Sequence, residues 1–433
     1  MMDIKTRSLR AVVILFLLIP SILFTSGEAR VEHQIEPIIA PTESVQSASG
    51  YVVELIADPN PNKFFVPPPV VPVPEGPLAP QTVAITVNYR TPANPGTCDT
   101  DTYGALADWS IDARTAFEYA INIWESVLNG SRTIVIDACW HSGMEYIILG
   151  SAGPYDSYAN FPNAPETDMF YPVALANELA GADQNGADPE IRAQFNSNRD
   201  WYLGTDGDTP ITQHDFVSVV LHEIAHGLGF VGGMAVNTEE SKPCGGTTVG
   251  LGCWVDDYPF IYDDFTMHYK SSPLPGYYYL INYDNPSTTL GDALTSDSVY
   301  FEAGDDYFPL YTPSQWNQGS SYSHLDESYN NTINALMTFS ISTGEAIHHP
   351  GPVTLDIFQA IGWQVINRSY VYVEAGFTGT ELGTSTNPFN TVIEGVHAVR
   401  DGGTVFIRAG SYNETMTINR PMTLDGDGAV IGQ

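Results

Sequence analysis

Three residues carry the strongest chemical signal in this chain. His222 and His226 stand four positions apart, and Glu223 follows the first of them directly. On a helix, side chains at i and i+4 project from one face. Two imidazoles so placed can bind one tetrahedral zinc ion, at ~2.0–2.1 Å each. Glu223 lies off that axis, beside the position where a water sits. Zinc lowers the pKa of such a water to about 7, and a carboxylate there can take its proton and pass it to a leaving amine. A catalytic zinc needs a third protein ligand. The residues alone leave His324, His268, His348, His349 and nearby carboxylates as candidates. His348 and His349 are also placed to line a cleft. His33, His141, His214 and His397 have no metal-binding spacing and read as structural.

The helix that must hold this pair runs through Phe216-Val217-Ser218-Val219-Val220-Leu221-His222-Glu223-Ile224-Ala225-His226-Gly227-Leu228-Gly229-Phe230. Phe216, Val219, Val220 and Ile224 form an apolar stripe that would bury it. Thr212 with Asp215 three residues on has capping-box spacing. Before this helix, alternation predicts a strand over Thr82–Tyr89, and helical spacing predicts a helix over Ile111–Leu128. Strands over Thr133–Ile136 and Tyr146–Gly150 and a helix over Tyr171–Ala180 follow. Residues 231–323 are rich in Gly, Tyr and Asp and weakly periodic, and a last helix is expected over Val353–Trp363. This mixture of elements indicates an α+β fold.

With Gly229 the central motif resembles that of the metzincin peptidases, HExxHxxGxxH. The final position is Gly232 here, so the short form fails. The leishmanolysin branch places its third His later, after a long insertion and shortly before a Met-turn. Ser323-His324-Leu325-Asp326-Glu327, followed by Asn334-Ala335-Leu336-Met337-Thr338, is similar to that arrangement. The resemblance covers about residues 81–366. It implies a zinc metalloendopeptidase that hydrolyses peptide bonds, with Zn2+ on His222, His226 and His324, Glu223 as general base and Met337 in the Met-turn. Some metzincins carry a metal-reaching Tyr two residues after that Met. Phe339 stands there in this chain, so no tyrosine switch is expected.

The ends of the chain read differently. Lys5, Arg7 and Arg10 precede the apolar run Ala11–Phe24 and small residues, the layout of a secretory signal peptide over residues 1–29. Residues 30–80 read as a pro-segment or linker. Seven of the residues from Pro67 to Pro80 are prolines, a stiff extended spacer. A folded domain is expected from about Gln81. No Cys precedes Cys98, which excludes a thiol cap on the metal from a pro-segment. Beyond Asn367, Thr404–Ile407, Thr415–Ile418 and Met422–Leu424 read as short strands. The stretch Gly379–Gly432 resembles the opening coils of a right-handed parallel β-helix. The expected fold is therefore a metzincin-like α+β peptidase domain with a short all-β module over residues 367–433. That module could touch a polysaccharide or a surface, which leaves a second function open: an extracellular binding protein with an inactive zinc site.

Composition narrows the partners. Acidic residues number 51 against 16 basic, a net charge of −35. Such a surface repels nucleic acid and anionic membrane, while the metzincin resemblance implies a protein or peptide substrate. Export permits disulfides. The four cysteines allow a local Cys244–Cys253 bridge, which leaves Cys98 with Cys139, and none has zinc-knuckle spacing.

Overall fold

A computed structural model describes residues 44–47, 53–69, 82–272, 275–304, 306–366 and, in shorter stretches, 370–432. The expected signal peptide, His33 and residues 70–81 of the proline-rich stretch lie outside the described residues. The fold mixes helix and strand, with more strand than helix.

The scaffold of the site is a six-stranded sheet. Its strands are β1 (Val53–Asp58), β3 (Ala84–Tyr89), β4 (Thr133–His141), β5 (Ile148–Pro154), β6 (Ile191–Asn196) and β11 (Ser340–Ser342). They lie in the order β11-β1-β5-β6-β4-β3. Strands β3, β4 and β6 are mutually parallel, β5 runs antiparallel to β6, and β1 runs antiparallel to β5. A further short strand, β2 (Phe64–Val66), pairs in parallel with β12 (Glu345–Ile347). Described strands therefore already occur before Gln81, at Val53–Asp58 and Phe64–Val66. Two strand boundaries also differ: β4 runs on to His141, and the strand expected over Tyr146–Gly150 is Ile148–Pro154.

Helix α1 (Ile111–Val127) forms where the apolar spacing places it. Ser110 caps it by accepting from the Ala113 N–H at 3.1 Å, and Phe117, Ala120, Ile123 and Trp124 are among its buried face. Helix α2 (Val173–Ala180) starts two residues later than expected, because Tyr171 and Pro172 pair as strand. Helix α3 (Phe216–Leu228) is buried along its whole length. Such a helix is held by neighbours, and two tryptophans reach it: Trp124 Nε1 donates to Leu221 O at 3.1 Å, and Trp363 Nε1 donates to Leu228 O at 2.8 Å. Helix α5 (Pro352–Ile361) supplies the turn that carries Trp363.

The weakly periodic insertion folds mainly as an antiparallel sheet of β7 (Thr266–Lys270), β8 (Gly276–Tyr279), β9 (Val299–Ala303) and β10 (Asp306–Pro309), in the order β8-β7-β9-β10, with helix α4 (Thr288–Leu294) between. Its strands carry exposed tyrosines such as Tyr269, Tyr277 and Tyr307, which hides the alternation. Cys98–Cys139 and Cys244–Cys253 are both bonded, the pairing left by the local-bridge reading.

In the last stretch, β13 (Tyr370–Val373), β14 (Thr404–Ile407) and β15 (Thr423–Gly426) pair in parallel, as do Gly410–Tyr412 and Ala429–Ile431. Helix α6 (Val392–Ala398) lies between β13 and β14 in the chain. Thr415–Ile418 is not a strand. Val371, Val373, Phe389, Val405 and Ile407 share an apolar cluster separate from the main core.

Candidate metal centre

Helix α3 begins with a cap that differs from the expected one. Asp215 itself is the N-cap, with its Oδ1 accepting from Ser218 N at 2.8 Å and Ser218 Oγ at 2.6 Å. Thr212 plays no part. The same carboxylate accepts from Thr209 Oγ1 at 3.0 Å and meets His348 Nε2 at 2.9 Å. A helix N-terminus favours this negative charge. His348 is therefore committed to the start of the helix rather than to a metal.

At the other end, Gly229 adopts φ +122° and its N–H meets the carbonyls of Ala225 and His226. A left-handed backbone there favours glycine. The turn swings Phe230 O back to within 2.7 Å of His226 Nδ1.

The three imidazoles expected as ligands come together. His222 Nε2 lies 3.0 Å from His226 Nε2 and 3.1 Å from His324 Nε2. Each ring turns its other nitrogen to a backbone carbonyl: His222 Nδ1 to Leu336 O at 2.6 Å, His226 Nδ1 to Phe230 O, and His324 Nδ1 to Ser320 O at 2.6 Å. A carbonyl only accepts, so each Nδ1 carries the proton and each Nε2 presents a bare lone pair. Lone pairs facing one another at ~3 Å, as those of His226 and His324 each face that of His222, repel unless a cation lies among them. Nitrogens at ~2.0–2.1 Å from one tetrahedral ion stand ~3.3 Å apart, close to these two distances. Carbonyl partners of this kind are also how metal-bound histidines are oriented. Burial pushes the His222 imidazole down to about 4, and burial and then the neighbouring rings hold His226 and His324 well below their usual range. A neutral imidazole is the form that binds metal.

The carbonyl that orients His222 belongs to a short 3-10 turn, Ala335–Met337, which is buried. Met337 O in turn accepts from Leu325 N at 2.8 Å, next to His324. Phe339, the departure noted in the sequence, stacks on Tyr311 with ring centres 4.1 Å apart.

Glu223 is fully buried, and neither of its oxygens has a hydrogen-bond partner. Burial raises its pKa well above the usual carboxylate range, while the nearby amides of Leu55 and Ala152 act in the opposite sense without reaching bonding geometry. An unpartnered buried carboxylate is costly, and Glu223 follows His222 directly on α3.

Two residues of the site have no signal in the sequence. A Cβ on Gly150 would lie 2.8 Å from Glu223 Oε1, so only glycine lets β5 pass so close to the carboxylate. A Cβ on Gly232 would lie 2.1 Å from the Tyr322 ring, which fills the space that a side chain at 232 would need.

The other candidates lie elsewhere. His268, on β7, has its Nδ1 2.9 Å from Tyr283 Oη, and His349 Nδ1 accepts from Gly351 N. His141 contacts Gly104 O and Gln194 Oε1, and His214 contacts Arg199. The His397 side chain lies outside the described residues. Cys98, Cys139 and His141 also sit close together, but the two sulfurs are bonded to each other and offer no thiolate. Among the described residues, no helix is long and apolar enough to cross a membrane.

Residues 81–242 match the family model described as SPBPB7E8-like. The match spans His222, Glu223 and His226 and ends before His324. No curated protein and no solved structure matches the chain.

Proposed function

We propose that the chain is a secreted zinc metalloendopeptidase, similar to the leishmanolysin branch of the metzincins. The observation that carries this reading is the meeting of three bare Nε2 atoms, from His222, His226 and His324, at a helix that also carries the unpartnered buried carboxylate of Glu223. His222, His226 and His324 would hold the ion. Bound there, zinc polarises a water and a scissile carbonyl and lowers the pKa of the water to about 7.

Glu223 receives the proton that the attacking water gives up and passes it to the leaving amine nitrogen. It is not counted as a ligand: the donor atoms that converge are those of His222, His226 and His324, and the Glu223 carboxylate lies against Gly150. The carbonyls of Leu336, Phe230 and Ser320 keep each ring in the tautomer that leaves Nε2 free. Gly150 sets how closely β5 approaches the base. The two disulfides fit an oxidising, extracytoplasmic setting. We also take residues 370–432 as the opening coils of a right-handed parallel β-helix, which their parallel pairing supports.

A protein substrate assay with the chain as isolated and after limited proteolysis tests the reading. Hydrolysis abolished by a chelator and restored by zinc is the expected result. Hydrolysis indifferent to chelation, or none in either form with zinc bound, would overturn it. The intact base argues against a binding protein with an inert site.

A further inference from the structure

Outside the metal centre, the insertion sheet has one face built of tyrosine. Opposite residues in an antiparallel pair share a face, and successive residues alternate. Tyr269 is paired with Tyr277, Met267 with both Tyr279 and Tyr300, and Glu302 with Tyr307. Tyr269, Tyr277, Tyr279, Tyr300 and Tyr307 therefore stand on one side. The other side holds Val299 and Phe301, which are buried in the main core.

The rings hold one another in place. Tyr277 stacks on Tyr307 with centres 4.4 Å and planes 7° apart, and meets Tyr269 at 5.1 Å and Tyr300 at 5.5 Å. Tyr279 Oη donates to Glu302 Oε2 at 2.7 Å. Even so, Tyr269, Tyr277 and Tyr307 are 38%, 40% and 40% exposed. A fixed aromatic surface left in water marks a binding surface.

This face leads into a cavity of about 440 Å³, within the range of small-molecule sites. Strand β8 is the edge of the sheet, and the cavity is lined by Tyr277 from one side of it and Tyr278 from the other. Lys270 Nζ lies 4.7 Å from the ring centre of Tyr278 and 4.6 Å from that of Tyr283, both part of the lining. Around the rings stand Asn282, Asp284 and Thr289, all exposed.

The lining narrows the ligand. Lys270 already places a cation on two of the rings, which disfavours a quaternary ammonium there. The net charge of −35 disfavours a nucleic acid, whose bases arrive with phosphates. A purely apolar ligand would strip water from the ammonium, amide and carboxylate and give nothing back. A sugar answers both parts of the site. One side of a pyranose ring is a plane of weakly positive C–H groups, which suits the negative face of an aromatic ring. Its hydroxyls lie at the rim, and each both donates and accepts. Lys270 donates only, Asp284 accepts only, and Asn282 and Thr289 do both.

We propose that the tyrosine-lined cavity at β8 binds saccharides, with Tyr277 and Tyr278 as stacking platforms. The described lining comes from residues 270–289 and not from the C-terminal stretch, where a polysaccharide contact was expected. The proposal does not depend on whether the metal centre cleaves peptides.

The test is native affinity electrophoresis of the full chain in gels containing mannan, xylan, hydroxyethyl cellulose or polygalacturonate, with calorimetric titration of the matching oligosaccharide. An N-glycosylated protein, before and after enzymatic removal of its glycans, separates attached glycans from free polysaccharide as the source. At least one of these saccharides should bind. Tyr277→Ala and Tyr278→Ala should each weaken that binding at least about tenfold, while Tyr277→Phe, which keeps the ring, should stay within about threefold. Tyr146→Ala, at an exposed tyrosine outside the cavity, should bind as the wild type does. Where melting shows that an alanine variant has lost its fold, Asp284→Ala and Thr289→Ala replace it and should lower affinity at least about threefold. No binding of any probe at millimolar concentration, or folded variants of the cavity that bind as the wild type does, overturns the proposal. A dimer that Tyr277→Ala dissolves also overturns it, since a second copy of the chain would then cover the face.

Discussion

His222 and His324 are 102 positions apart in the chain, and their Nε2 atoms lie 3.1 Å apart. The contact is not a hydrogen bond in the ordinary sense, since both rings spend their proton on a backbone carbonyl. His324→Ala should therefore lose metal affinity and hydrolysis together, because two imidazoles alone make a poor zinc site. His268→Ala, whose ring sits against Tyr283, should keep both. Metal analysis after dialysis checks the pair: a His324→Ala protein that retains a full equivalent of zinc would remove His324 from the centre.

Gly150 offers a separate check on the base. A methyl group there would press on Glu223 Oε1 from 2.8 Å. Displacing a catalytic group by an ångström costs on the order of a hundredfold in rate. Gly150→Ala should lower kcat by roughly that factor while zinc content stays the same. Unchanged kcat would mean that Glu223 is not held against β5 during turnover.

Asp263 should leave a mark on the pH dependence of stability. It is buried and accepts from Gly233 N, Phe260 N and Tyr322 Oη, with burial the dominant influence, and its pKa is pushed up to about 7. The folded state then keeps a proton that the unfolded chain, with a carboxyl near 3.8, gives up. This contribution is complete below the unfolded value and is lost as pH rises toward about 7. The slope in between is about 1.4 kcal/mol per pH unit. Denaturation of wild type and Asp263→Asn across that window should show the difference between them shrinking as pH rises, then levelling. A constant difference would show that Asp263 is ionised throughout.

The C-terminal stretch has its own apolar cluster, built on Val371, Val373, Val405 and Ile407, and all three imidazoles precede Trp363. Removing residues 368–433 should leave hydrolysis of a small peptide within about twofold of the full chain, since no group of the site is lost. A truncated chain that fails to fold would make this stretch part of the main core.

Much of the centre was legible because it depends on local periodicity. The i, i+4 histidines, the apolar stripe of α3 and the helix over residues 111–127 are written in side-chain spacing alone. The likeness of the His324–Met337 stretch to a known arrangement supplied the rest. What was hidden depends on contacts between distant segments. Val53–Asp58 is too short a run to declare its partners, and its pairing with Ile148–Pro154 appears only in three dimensions. Gly150 and Gly232 are glycine because of what lies against them, Glu223 and Tyr322, which no local pattern encodes. The Thr212–Asp215 spacing fitted a capping box, yet Asp215 caps the helix itself, because its side chain is also held by Thr209 and His348.

The central claim is that Glu223 is the proton acceptor at a metal held by three histidines. The most direct measurement is zinc content and peptide hydrolysis on the same samples of wild-type and Glu223→Ala protein. Both should bind one zinc per chain, and hydrolysis by the variant should fall by at least about a hundredfold. A zinc-loaded Glu223→Ala protein that hydrolyses the peptide at the wild-type rate would contradict the mechanism.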